Sequence, residues 1–354
     1  MIRRMSLVLV AVFLLGGCEA VQEQLIRRGA ERSFVPDRLE LADDGVLHVV
    51  LCGTGSPLPD PARAAACTAV LAAGRMFLVD VGPGSWENVQ RWRLPRERLS
   101  GVLLTHFHSD HIGELGEATT QSWIGGRQQP LEVIGPPGVE AVVEGFARAY
   151  AADLGYRTTH HGAEAMPPEG GRMVAKPAPL PPGQKDVVVF DGDGLRITAF
   201  PVDHAPVEPA YGYRFDYKGR SVVISGDTKP TASIVEQARG ADVLVHEALA
   251  AHIIRIGTDI AREKGNARLA KLSTDIIDYH TTPAQAAEEA RQAGVRMLVY
   301  THLVPGALPP VIGPAAFLRD VDAGDGLEIV MGEDGMLINL PAESEEIEVV
   351  DILD

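Results

Sequence analysis

Cysteine is scarce in this chain: 354 residues contain three, Cys18, Cys52 and Cys67. So small a number excludes a disulfide-dense scaffold, and the spacing of Cys52 and Cys67 matches no zinc-knuckle pattern. These two can pair in an oxidising compartment or stand as buried free thiols. Positive charge is also short, since 32 Lys and Arg against 48 Asp and Glu leave a formal charge of −16. Coating of nucleic acid draws on clustered Lys and Arg, and no basic run occurs, so composition argues against nucleic acid as a partner. Long apolar runs are missing as well. Met5–Leu15, MSLVLVAVFLL, ends well before the roughly 20 residues that a membrane-spanning helix needs.

A short apolar run behind the positive start MIRR is instead the pattern of a secretory signal. Its ending LLGGC is similar to the lipobox of bacterial lipoproteins, which implies lipidation at Cys18 and a periplasmic, membrane-anchored protein. Cleavage near GCEA, giving a soluble secreted protein, is the alternative. Residues 19–45 are charged and weakly periodic, and read as a tether with one or two helical turns. A body follows from Val46 to Leu340, and 341–354 read as an acidic tail, solvated or loosely packed. The 45% hydrophobic content suffices for a packed core.

Within the body, β-branched and aliphatic runs recur: VLHVVL, MFLVDV, GVLLTH, LEVIG, LRITAFPV, SVVISGD, DVLVHEA and RMLVYTH. They read as buried strands, alternating with helical patterns such as Pro137–Tyr150 and Pro283–Ala293, and so predict an α/β layered fold. The Pro- and Gly-rich segment Glu164–Lys185 reads as a loop, with His160 and His161 as loop residues beside it. That segment and the stretch Ala250–Asp278 are each either a substrate wall or surface elaboration.

Four of the runs end in a candidate metal ligand: His106, His204, Asp227 and His302. Strand ends share one rim, which is where sites assemble in layered α/β folds. At the first of them, THFHSDHIGEL packs His106, His108, Asp110 and His111 into six residues. Imidazoles and carboxylates suit zinc, and a two-metal site needs enough donors for ions roughly 3.5 to 4 Å apart. His106 and His108 can face one ion with His204, while Asp110 and His111 face the other with His302. Asp227 has two oxygens to share between them.

The string HFHSDH resembles the H-x-H-x-D-H motif of the metallo-β-lactamase superfamily. LCGTGSPLPDPAR, MFLVDVG with Asp80, and SGDT resemble further motifs of that superfamily. HAPVEPAYGYRF, VLVHEA with Glu247 and DYHTTPAQAAEEA with His280 are similar to ribonuclease Z and the arylsulfatases related to it. The resemblance implies an αββα four-layer sandwich over approximately Val46 to Leu340 and two Zn2+ on the ligands named above. Mn2+ or Fe2+ would satisfy the same donors. It also implies a proton donor at His280, oriented by Glu247; helix capping beside TTPAQ is the alternative role for His280, and HTT before a Pro could do both.

The implied chemistry is attack by a metal-bound hydroxide, oriented by Asp110, on a small anionic ester such as a phosphodiester or aryl sulfate. Bacterial ribonuclease Z proteins often carry a long RNA-gripping arm between the GYR and SGDT strands, and here only FDYKGR separates them. With the acidic charge and the leader, this sets the expectation of an exported small-ester hydrolase, with a homodimer compatible with the sequence. Alternatives are a β-lactamase or lactonase, a ribonuclease Z-like endonuclease acting on transfer RNA 3′ ends, and a mononuclear iron sulfur dioxygenase. A binding lipoprotein without turnover would tend to lose ligands, and none is missing.

Overall fold

The computed structural model of the protein describes residues 19–33, 35–306 and 313–353. The leader and Cys18 lie outside the described residues. Two compact units emerge, Met1–Asp37 and Arg38–Asp354. In the first, Glu19–Ser33 forms a helix (α1) of 15 residues, longer than the one or two turns expected of a tether. No described helix is long and apolar enough to cross a membrane.

The second unit begins with a helical turn at Glu40–Asp43, ahead of the expected start at Val46. Its first sheet has the strands β1 Leu47–Gly53, β2 Cys67–Ala72, β3 Arg75–Val79, β4 Leu99–Leu103, β5 Leu131–Gly135 and β6 Met173–Pro177. The second sheet has β7 Val187–Gly192, β8 Leu195–Val202, β9 Ala210–Tyr217, β10 Arg220–Ile224, β11 Val243–Leu249, β12 Met297–Val304 and β13 Glu328–Met331. The chain then returns to the first sheet with β14 Met336–Leu340 and β15 Glu348–Asp351, giving the orders β15-β14-β1-β2-β3-β4-β5-β6 and β13-β12-β11-β10-β9-β8-β7.

Strand alternation explains the layering. Leu47, Val49 and Leu51 of β1 enter one core with Val243 and Val245 of β11, so the two sheets pack face to face. Val50 and Cys52, pointing the other way, join Trp86, Leu115 and Val139 from the helices α2 (Ser85–Arg91), α4 (Leu115–Ile124) and α5 (Val139–His161); the short α3 (Ser109–Ile112) lies between α2 and α4 in the chain. Behind the second sheet, Leu244 and Ala248 of β11 meet Ile234 of α6 (Ala232–Gln237) and the alanines of α9 (Pro283–Ala293). Helix, sheet, sheet, helix is the expected αββα sandwich.

Three segments differ from expectation. The acidic tail is an edge strand: β15 pairs antiparallel with β14, because Ile347, Val350 and Ile352 bring enough apolar surface to dock on the cores. Glu164–Lys185 contains a 3-10 turn and β6, and His160 and His161 end α5 as exposed helical residues. Ala250–Asp278 folds as a helical hairpin, α7 (Ala251–Glu263) and α8 (Ala267–Asp275), closed by a 3-10 turn at Ile276–Tyr279.

Candidate metal centre

The first sheet supplies four ligands from one turn. β4 ends at Leu103, and the chain enters α3 through Thr105 and His106, with His108 as its N-cap and Asp110 and His111 inside it. This turn is held from behind by Asp80, whose carboxylate accepts the Thr105 N–H (2.8 Å), the Thr105 hydroxyl (2.7 Å) and His111 Nδ1–H (2.7 Å). Gly82 allows the approach, since a Cβ there would lie 2.0 Å from the Asp110 carbonyl oxygen. The second sheet supplies His204 two residues past β8, Asp227 three past β10, and His302 within β12. The sequence placed His302 at a strand end. It sits instead at a bulge, with a φ of 45°, where the pairing of β11 and β12 shifts register and turns the side chain toward the rim.

Asp227 stands at the centre. Its Oδ2 lies 3.4 Å from His111 Nε2, 3.5 Å from His302 Nε2, and 3.9 Å from Nε2 of both His106 and His204. Asp110 Oδ2 lies 3.2 Å from His302 Nε2 and 3.6 Å from His111 Nε2. The donors fall into the expected sets, His106, His108, His204 and Asp227 in one group and Asp110, His111 and His302 in the other, each within 4.8 Å. Three imidazoles are oriented through Nδ1: His111 by Asp80, His204 by the Tyr279 carbonyl (2.9 Å) and His106 by the Thr105 hydroxyl (3.0 Å). That leaves Nε2 to face the centre.

These residues fit a cation pair. Asp227 Oδ1 and Nε2 of His111 and His204 are buried without a hydrogen-bond partner. Orphans of this kind cost about 1–3 kcal/mol each unless something accepts them. Electrostatics agree with the donor roles. Burial pushes His106, His108 and His204 down, which keeps their nitrogens neutral. Burial opposes charge on His111, but Asp227 and Asp80 outweigh it and raise the imidazole well above its usual value, so a cation could take the place of its proton. Burial also opposes charge on Asp227 and Asp110. The neighbouring histidines, His302 first, outweigh it and hold both carboxylates low.

Beside this cluster, Glu247 in β11 is buried, and its Oε1 accepts His280 Nδ1–H (2.9 Å), the Thr281 N–H (3.0 Å) and the Thr228 N–H (3.2 Å). Burial alone would lower the His280 pKa; Glu247 outweighs it and pushes the group up to about 9. A His280 nitrogen lies within 4.8 Å of donor atoms on Asp227 and His302. The capping role belongs to Thr282, which forms a capping box with Gln285. His48 is tied to Asn339 and Asp44, and His252 to the Ala316 carbonyl.

Several contributors escaped the sequence reading. Tyr279 holds His204 through its carbonyl and sets its ring edge-on to that imidazole at 4.9 Å. Asp334 accepts from Thr54 N and Oγ1, Ala64 N and Asn88 Nδ2, which fastens the loop 54–65. Cys52 and Cys67 form a disulfide at the base of that loop. The loop, with Glu87 and Asp110, lines a cavity of about 990 Å³. A carboxylate between two glycines, in the string GEDG, was the available signal for Asp334.

A model of the beta-lactamase superfamily domain matches residues 75–303. Ribonuclease Z of Mycobacterium bovis (strain BCG / Pasteur 1173P2) is 41% identical over 269 residues, covering 75% of this chain and 88% of that protein. Ribonuclease Z of Mycobacterium avium (strain 104) is 40% identical over 294 residues, covering 80% and 98%. Among solved structures, human tRNase Z, short form, aligns with a TM-score of 0.57 at 23% identity, over 83% of this chain and 99% of that one. The metallo-beta-lactamase fold protein YhfI from Bacillus subtilis aligns with a TM-score of 0.56 at 18% identity, also over 83% and 99%. These likenesses correct one expectation. Composition argued against nucleic acid as a partner, yet proteins this similar over nearly their whole length bear the name of a ribonuclease. Net charge averages over the surface, whereas a phosphodiester is read at one local site.

Proposed function

The chain belongs to the beta-lactamase superfamily, in its ribonuclease Z branch, and from that premise we propose that this hydrolase is a metal-dependent phosphodiesterase whose substrates are RNAs. The observation that carries the reading is the His280–Glu247 pair standing beside a donor set for two cations. His106, His108 and His204 would hold one ion and Asp110, His111 and His302 the other, with Asp227 shared; Zn2+ suits these donors, and Mn2+ or Fe2+ would also be accepted. Such a pair of ions would supply a water whose pKa falls toward about 7 and positive charge to offset that of the phosphoryl group.

The chain's own residues do the rest. Asp110, held as a carboxylate, accepts a proton from the attacking water and aligns its oxygen with phosphorus. As the new P–O bond forms and the bond to the leaving oxygen breaks, His280 gives that oxygen its proton. Glu247 positions the imidazole and favours its protonated form near neutrality. Buried Asp80 and Thr105 keep the ligand turn in place, so few rearrangements are needed at the moment of reaction.

A second reading, hydrolysis of a small anionic ester such as an aryl sulfate, is supported by the tight turn at Lys218–Gly219. There β9 joins β10 through two residues with φ of 47° and 79°, so no arm leaves the sheet at that point. Metal analysis and a substrate panel test both readings. The expected result is about two metal ions per chain, with cleavage of an RNA bearing a 3′ extension and of bis(p-nitrophenyl) phosphate, and loss of both activities in Asp227→Ala. Turnover of p-nitrophenyl sulfate without RNA cleavage would transfer the assignment to the second reading.

Residues 1–18 are proposed as a lipoprotein signal with Cys18 lipidated, the residues from 19 to 37 as the tether and the unit from Arg38 as the exported hydrolase. The leader sequence supports this, and so does the Cys52–Cys67 disulfide, since such bonds persist in oxidising compartments.

A further inference from the structure

The hairpin of α7 and α8 is an exception to the chain's charge. Residues 250–278 hold five basic residues, Arg255, Arg262, Lys264, Arg268 and Lys271, against Asp259, Glu263, Asp275 and Asp278, a net of +1 within a chain of −16. Arg262 and Lys271 are spent on Asp259 and Asp275. Arg255, Lys264 and Arg268 are exposed and have no acidic partner among the described residues.

Both ends of the hairpin are built into the site. α7 starts two residues after β11, the strand of Glu247, and Ala250 N–H bonds the Val304 carbonyl (2.8 Å) at the end of the His302 strand. α8 runs into Tyr279 and His280. Leu249, Ile254, Val304, Ile276 and Ile277 pack into a small core that anchors this base. From there the cations run outward. Arg255 is in the second turn of α7, and Lys264 follows about 14 Å further along the helix axis at 1.5 Å per residue.

We propose that this hairpin is a docking rail for the phosphate backbone of an RNA whose scissile bond lies at the metal centre, with Arg255, Lys264 and Arg268 pairing with separate, well-spaced phosphates. The inference rests on the phosphodiesterase reading. Its carrying observation is the placement of unpaired cations on an element rooted between the general acid and its positioning carboxylate. Charge complementarity commits the face to a polyanion. An anionic bilayer would use the same cations together with exposed Ile256, Ile260, Leu269 and Leu272. The rooting of the hairpin in the site favours the RNA.

The test uses the full metal-loaded chain and the triple variant Arg255→Glu, Lys264→Glu, Arg268→Glu. The probe is a fluorescein-labelled RNA stem with a single-stranded 3′ extension, titrated at several salt concentrations. The expected result is an RNA Kd weakened at least about tenfold at low salt, and a slope of log K against log salt reduced by about two to three, close to one unit for each phosphate that is no longer neutralised. The kcat/KM for bis(p-nitrophenyl) phosphate should stay unchanged, which serves as the control for folding and metal loading. Arg255→Lys with Arg268→Lys should keep the wild-type slope.

Unchanged RNA affinity and slope in the triple variant would overturn the rail and leave the phosphodiesterase reading standing. If the variant instead loses binding only to phosphatidylglycerol vesicles, the face belongs to a membrane and the proposal is wrong. A wild-type chain that hydrolyses the small diester but neither binds nor cleaves RNA defeats the RNA reading itself, and the rail with it.

Discussion

The metal rim and the helical hairpin meet at β11, the strand of Glu247, and they are built by opposite rules. In the rim the polar atoms that support the ligands are buried and answered: Glu247 Oε1 accepts three donors, Asp80 three more, and three of the imidazoles are steered through their far nitrogens. In the hairpin Arg255, Lys264 and Arg268 stand in solvent with no acidic partner among the described residues. The first region works by position and should fail when one atom is lost. The second works by charge, so its contributions should be small, roughly additive and screened by salt.

The largest effect expected from this contrast is at His280. His280→Ala removes one donor from the rim and should lower kcat for RNA by about 10²–10⁴, the usual contribution of a positioned general acid. The loss on bis(p-nitrophenyl) phosphate should be much smaller, because p-nitrophenolate departs without needing a proton. Single-turnover rates on both substrates measure this. Equal losses would mean that His280 holds the site together and does not donate the proton, and the contrast between substrates would disappear.

The rim was readable from the chain because its ligands cluster in HFHSDH and follow apolar runs, and because Glu247 and His280 lie in short motifs of their own. The disulfide was left open, since spacing alone cannot tell a bridged pair from two thiols. What was missed depends on neighbours distant in sequence. Tyr279 matters through its carbonyl, Asp334 through a loop some 270 residues earlier that it fastens, and the bulge at His302 exists only in the pairing of β11 with β12. The strand in the acidic tail was missed because charge dominated its composition, while Val350 and Ile352 decide its packing. The hairpin was seen only as a long insert, and its local charge was lost in the average.

A weaker probe lies one residue from Glu247, on the opposite face of β11. His246 is fully buried, with Nε2 3.4 Å from Glu289 Oε2 on α9. Burial alone would lower its pKa, but Glu289 outweighs burial and the imidazole is raised above 6.5. A folded-state pKa above the unfolded value contributes stability that is complete below about 6.5 and is lost as the pH climbs through the raised folded value. Thermal melts between about pH 6 and about pH 9 should therefore show Tm drifting down by about 1–3 °C on the alkaline side. Glu289→Gln, which removes the charge responsible, should flatten that drift. A slope unchanged by the substitution would mean that the pair is not what couples this part of the second sheet to pH.

The smallest effect should come from the apolar residues of the hairpin. Ile256 and Leu272 are 58% and 51% exposed, so polar replacement exposes little that was not already in water. Ile256→Ser with Leu272→Ser should change stability by no more than about 0.5 kcal/mol, leave the bis(p-nitrophenyl) phosphate rate alone and leave RNA affinity within about twofold, if the rail acts through its cations. Denaturant melts and the salt-dependent titration give these numbers. A large loss of RNA affinity at unchanged salt slope would show that the aliphatic side chains, and not the charges, grip the RNA. The hairpin would then obey the same rule of position as the rim.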